Sequence, residues 1–128
     1  MALNKAVKVG GSLYKGYELL VTATTGDHVI AMTETAAASV NSISVTPDTY
    51  GSGDNFKLEH ITSDSSLTLA LLAETIYNPG KNVAVMFDFP ALERVDAGEI
   101  FKLTYSNVST DSKAMHIIVE YVGIRRTV

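Results

Sequence analysis

Three histidines, fourteen carboxylates and no cysteine bound the chemistry open to this chain. His28, His60 and His116 are the natural metal ligands, but 32 and 56 residues separate them and no pair stands at local metal-binding spacing. His28 suits the start of a strand and His116 a solvated strand face. The loop from Asp48 to Asp54 offers two carboxylates to a calcium ion, without the ligand order of an EF-hand. A covalent nucleophile would have to be a serine or threonine, and no serine stands in Gly-x-Ser-x-Gly. Gly51-Ser52-Gly53 reads instead as a pair of turn glycines. No Gly-rich phosphate cradle is present, and no two carboxylates are recognisably paired for glycoside hydrolysis. Asp88, inside the apolar run VAVMFDF, is the one acid out of place. Strand alternation puts it on an outer face with Ala84 and Met86. The expectation is a non-enzymatic protein with no catalytic residue, no metal and no cofactor.

The elements that would have to position any site are strands. Tyr17, Leu19, Val21 and Ala23 alternate with polar neighbours, and Thr24-Thr25-Gly26-Asp27 follows as a turn. HVIAMT (28–33), VNSISVT (40–46) and NFKLEHIT (55–62) read as further strands, the last with Phe56, Leu58 and His60 on one face. Between 67 and 77 two patterns compete. Leu67, Leu69 and Leu71 alternate as in a strand, while the Leu/Ala/Glu content and the stop at Asn78-Pro79-Gly80 allow a short helix. VAVMFDF (83–89) is apolar almost throughout, as in a central strand covered on both sides, with Pro90 ending it or marking an edge. The last two strands read as a hairpin. Phe101, Leu103 and Tyr105 point one way on the first, and Met115, Ile117, Val119 and Tyr121 point inward on the second. Seven to nine short strands with turns at roughly 10–15-residue intervals predict an all-β, single-domain antiparallel sandwich or jelly roll.

Charge divides the chain unevenly. Residues 1–17 hold Lys5, Lys8 and Lys15 and no acid, residues 18–124 hold five bases against fourteen acids, and Arg125 and Arg126 close the chain. An acidic body with basic ends is not the dense basic face that nucleic acid requires. No apolar run reaches the length of a membrane span, and the N-terminus lacks the apolar core of a secretory signal. The expected organisation is an extended basic arm over 1–16 and a β-sandwich over 17–128.

The sequence Ala97-Gly98-Glu99-Ile100-Phe101-Lys102-Leu103-Thr104-Tyr105-Ser106-Asn107, then after a polar gap His116-Ile117-Ile118-Val119-Glu120-Tyr121-Val122-Gly123, resembles the closing hairpin of small virion proteins of tailed bacteriophages. The opening residues 1–8 and the segment Tyr17 to Ala23 resemble their lead-in. The resemblance implies a head decoration protein, made in the host cytoplasm and placed on the outer capsid surface. It further implies the major capsid protein as partner, a homotrimer as the unit, and no nucleic-acid or membrane contact. Lys5, Lys8, Lys15, Arg125 and Arg126 are the candidate partner-binding residues. The rival expectation is a glycan- or receptor-binding module of a tail or fibre, using the loop tyrosines Tyr14, Tyr17, Tyr50 and Tyr77.

Overall fold

The structure is a computed structural model that describes the backbone of residues 6–9 and 12–124 and the side chains of residues 13–122. Among the described residues nine strands follow one another: β1 (Ala6–Val9), β2 (Ser12–Val21), β3 (Gly26–Thr33), β4 (Ala38–Pro47), β5 (Asn55–Ile61), β6 (Thr68–Tyr77), β7 (Val85–Val95), β8 (Ile100–Asn107) and β9 (Lys113–Ile124). They form a five-stranded sheet in the order β1-β2-β9-β4-β7 and a four-stranded sheet in the order β3-β8-β5-β6, with every pairing antiparallel. Apart from β1, the order is that of an eight-stranded jelly roll, in which successive strands pass from one sheet to the other except at β5 and β6, which pair directly. The chain is therefore an all-β, single-domain sandwich.

Alternation explains how the two sheets meet. Tyr17, Leu19 and Val21 of β2, Ile43 and Val45 of β4, and Met115, Ile117, Val119 and Tyr121 of β9 line the inside of the first sheet. Phe56 and Leu58 of β5 and Phe101, Leu103 and Tyr105 of β8 line the second. The Phe56 and Tyr105 rings pack edge-on, with centroids 4.8 Å apart.

One open alternative is settled and two expectations are corrected. In segment 67–77 the strand reading holds and the helix is absent: β6 pairs with β5 from Ile61↔Thr68 to Asn55↔Tyr77, so sheet pairing overrides its helix propensity. Three register shifts and a left-handed Thr75 (φ 57°) make it irregular. The last two strands are not a hairpin, because β8 pairs with β3 and β5 while β9 pairs with β2 and β4. Each has one apolar face, and two such faces can meet across the core as well as side by side. Finally, β7 is an edge strand rather than a central one. Pro90 lies within it, which an edge tolerates, and Met86 and Asp88 are exposed on its outer side.

Candidate functional site

The structure distributes the histidines as structural groups. His28 Nε2 lies 3.1 Å from the Thr24 carbonyl at the start of β3, and His116 is exposed on β9 within 3.6 Å of Glu18. His60 is buried, with Nδ1 2.7 Å from Glu93 Oε2 and Nε2 2.9 Å from Glu99 Oε1. It joins β5 of one sheet to β7 of the other. The Asp96 N–H also holds Glu99 Oε1 at 2.8 Å. Burial pushes the Glu99 carboxyl up, but the Asp96 N–H and His60 hold it below its usual range. Among the described residues no group of three or more His, Asp or Glu is placed to hold a metal ion.

The loop acids are likewise committed. Asp48 accepts the Ala114 N–H at 2.9 Å. Asp54 turns inward and is fully buried, as is Lys113, whose Nζ is 3.2 Å from Asp54 Oδ2. The Asp54 carboxylate accepts the Tyr105 hydroxyl at 2.5 Å, the Val108 and Ser109 N–H groups at 2.8 and 2.9 Å, and the Ser109 hydroxyl at 2.8 Å. Burial pushes its pKa up, but these donors outweigh burial and hold it at about 2. Lys113 also donates to Asn107 Oδ1, Ser109 Oγ and the Asp111 carbonyl. Gly51 covers the pair so closely that a Cβ there would lie 1.8 Å from Asp54 Oδ2. The only sequence sign of this network is a glycine three residues before an aspartate in a loop. The composition of that loop gave the acid no direction.

Of the expected partner-binding residues, Lys15 is buried on the inner side of β2, opposite Val119, with Nζ 5.8 Å from the centre of the Tyr17 ring. Lys8 belongs to β1, which pairs with β2 at the edge of the five-stranded sheet. Residues 6–9 and 12–16 of the expected arm are thus strand residues of that sheet. Lys5, Arg125 and Arg126 lie outside the described residues. The tyrosines divide as well. Tyr17 is buried, and Tyr14 donates to Glu120 Oε2 at 2.7 Å. Tyr50 and Tyr77 are exposed, and they sit on either side of a single contact, the Asn78 side chain donating to the Thr49 carbonyl at 3.0 Å.

A further feature escaped the sequence reading. β6 and β7 end their respective sheets, and both are rich in exposed apolar side chains. Leu67, Leu69, Leu71 and Ile76 are 58, 45, 51 and 37% exposed, and Val83 and Met86 beside and within β7 are 48 and 53% exposed. The signal was present as leucine alternation, but nothing local says which face of an alternating strand looks outward.

No family model matches the chain, and no curated protein matches it. Among solved structures it is similar to a chain from the crystal structure of tomato aspermy virus, at 19% identity over 99% of this chain and 87% of that one, with a TM-score of 0.41. It is similar to a chain from infectious bursal disease virus, Gx strain, at 8% identity over 83% of this chain, with a TM-score of 0.37, and it matches 32% of that chain's length. A Drosophila melanogaster CENP-C cumin domain matches at 11% identity over 90% of this chain and 71% of that one, with a TM-score of 0.23. At TM-scores below 0.5 these likenesses define no family for the chain.

Proposed function

We propose that the chain is a non-enzymatic virion structural protein: a tailed-phage head decoration protein that binds the major capsid protein on the outer shell as a homotrimer. The observation that carries this reading is the separation of charge on a jelly-roll body. Residues 1–17 hold three lysines and no acid, and residues 125–128 hold two arginines and no acid, whereas residues 18–124 hold fourteen acids against five bases. The described chain begins at β1 and ends at β9, and both belong to the same sheet. Basic ends leaving one sheet suit an acidic partner surface, and an acidic remainder facing solvent keeps decorated particles apart. Residues 1–5 with Lys8, Arg125 and Arg126 supply the basic contacts. Lys15, buried against Tyr17, supplies packing instead.

The test is co-sedimentation with expanded tailed-phage shells prepared without their own decoration protein. The wild-type chain should sediment with them, and a Lys5→Glu/Lys8→Glu/Arg125→Glu/Arg126→Glu variant should stay in the supernatant. Equal binding by both would defeat the charge argument, and no binding by either would defeat the decoration reading. Tyr50 and Tyr77, both exposed and each next in sequence to one end of the Asn78–Thr49 hydrogen bond, favour a second reading, a glycan-binding module that stacks sugar faces on tyrosine rings. A glycan-array signal lost in Tyr50→Ala would replace the first reading with this one.

A further inference from the structure

We infer that His60 makes a proton-operated clasp between the two sheets, closed while the site holds one extra proton and released as pH rises. The clasp is independent of shell binding and lies at the end of the sandwich formed by loop 34–37 and turn 96–99. The chain Glu93–His60–Glu99 contains two contacts, of 2.7 and 2.9 Å, and each needs a proton to be a hydrogen bond. An ionised carboxylate supplies none, and a neutral imidazole supplies one. Glu99 Oε1 already accepts the Asp96 N–H, and its carboxyl is held below the usual range, so His60 Nε2 is the donor on that side. A second proton is then required between His60 Nδ1 and Glu93 Oε2. Without it two lone pairs face each other at 2.7 Å, beside a histidine side chain that is only 4% exposed. An unpaired polar contact in so dry a place is costly. The link from β5 to β7 therefore depends on a proton that a neutral ring does not carry.

The backbone beside the clasp has a joint. The pairing of β7 with β4 passes from Ser42↔Asp88 to Val40↔Glu93, so residues 89–92 have no partner along β4. Pro90 in that stretch has no N–H to give, and Leu92 is left-handed (φ 57°), an uncommon conformation for a bulky side chain. Glu93 follows the joint directly, and turn 96–99 lies beyond it. That turn is tied to loop 34–37 by two hydrogen bonds, Gly98 N–H to the Glu34 carbonyl at 2.6 Å and Glu34 N–H to the Glu99 carbonyl at 2.9 Å. Among the described residues the ion pairs of Glu93 and Glu99 are with His60 alone. The other neighbours of the ring are uncharged: Phe101 of β8, its ring centre 5.2 Å away, and Ala70 opposite His60 on β6. Glu34, facing Tyr121 and Lys15, is shifted so that it too favours its protonated form. Proton loss at His60 and at Glu34 thus loosens the same end of the molecule, in the same direction of pH.

NMR of the full chain tests this, with imidazole nitrogen shifts and amide exchange followed between about pH 5 and 8, the interval in which histidines exchange protons. Both ring nitrogens of His60 should carry protons at the acid end, and one should lose its proton within the interval. Over the same interval the Gly98 and Glu34 amides should lose about tenfold more protection than the Val119 amide, after correction for intrinsic exchange. Glu93→Gln offers an amide N–H to Nδ1, so its contact needs no extra proton. In that variant the Gly98 and Glu34 amides should stay equally protected at both ends of the interval. A His60 ring that keeps the same protons throughout would overturn the inference. So would amides that stay protected while the ring titrates, or a Glu93→Gln chain that opens with pH as the wild type does.

Discussion

Strand β9 has a tyrosine–carboxylate contact near each end, and the two carboxylates are driven in opposite directions. Near its start, Asp54 meets the Tyr105 hydroxyl and is held at about 2. Near its far end, Glu34 meets the Tyr121 hydroxyl, and burial pushes its carboxyl up, with Tyr121 and Lys15 only partly opposing the rise. Both acids are buried, at 0 and 3% exposure, so burial alone does not decide the sign. The number of donors does. Asp54 takes four hydrogen bonds from three residues and has a buried ammonium at 3.2 Å, whereas the hydrogen bonds to the Glu34 carboxylate come from Tyr121 alone among the described residues. One end of the sandwich is locked by a saturated ion pair, and the other holds a charge it poorly supports.

The largest expected effect comes from breaking the saturated end. Asp54→Ala strands the buried Lys113 ammonium, the Tyr105 hydroxyl and two N–H groups together, and should cost about 3–5 kcal/mol in urea unfolding. A cost under about 1 kcal/mol would mean that water already reaches the pair. Gly51→Ala attacks the same pair by crowding, since the new methyl would need the space of Asp54 Oδ2 and of Lys113 Cε. It should cost about 3 kcal/mol, and its effect should shrink in the Asp54→Ala background, where the collision with the carboxylate is gone and only that with Lys113 Cε is left. Midway between the ends, Val119 is fully buried. Val119→Ala should cost about 1–3 kcal/mol, with no dependence on pH between 3 and 8, because no titrating group is removed.

The same contrast marks what was legible in the sequence. The inward rows of β8 and β9 were read correctly down to single residues, from Phe101 to Tyr121, because a period of two is local and survives any topology. The sheet to which each strand belongs is not local. That is why β8 and β9 read as a hairpin, although a polar loop can carry the chain from one sheet to the other as readily as turn it back. β7 failed for a related reason. Apolar residues on both faces are equally consistent with a covered central strand and with an edge that awaits a partner. His60 was placed on the core side of β5, but its partners Glu93 and Glu99 lie 33 and 39 residues away and no spacing announces them. The basic ends were legible as charge and not as position, since Lys15 alternates with the core residues Tyr17 and Leu19 and so belongs to their face.

The smallest expected effect is the one that reads the two ends against each other. Asp54 has a folded pKa of about 2, below its ordinary 3.8. Its stabilising contribution is therefore complete above pH 4 and is lost as pH falls toward 2. Glu34 is shifted the other way. The folded chain favours its neutral carboxyl, so its contribution is complete below its ordinary value of 4.5 and is lost as pH rises through the raised folded value. Glu34→Gln keeps an acceptor for the Tyr121 hydroxyl and removes the charge, and should change stability by about 1 kcal/mol or less. The direction of that change carries the information. Measured by thermal unfolding, the variant should gain on the wild type as pH rises above 4.5 and level off once Glu34 is ionised in the folded chain, while Asp54→Asn should lose ground as pH rises from 2 to 4. A Glu34→Gln difference that stays flat with pH would mean that Tyr121 and Lys15 offset the burial of Glu34 in full and leave its pKa unshifted. A variant that instead lost ground between pH 2 and pH 4, as Asp54→Asn should, would make the two ends of β9 equivalent locks.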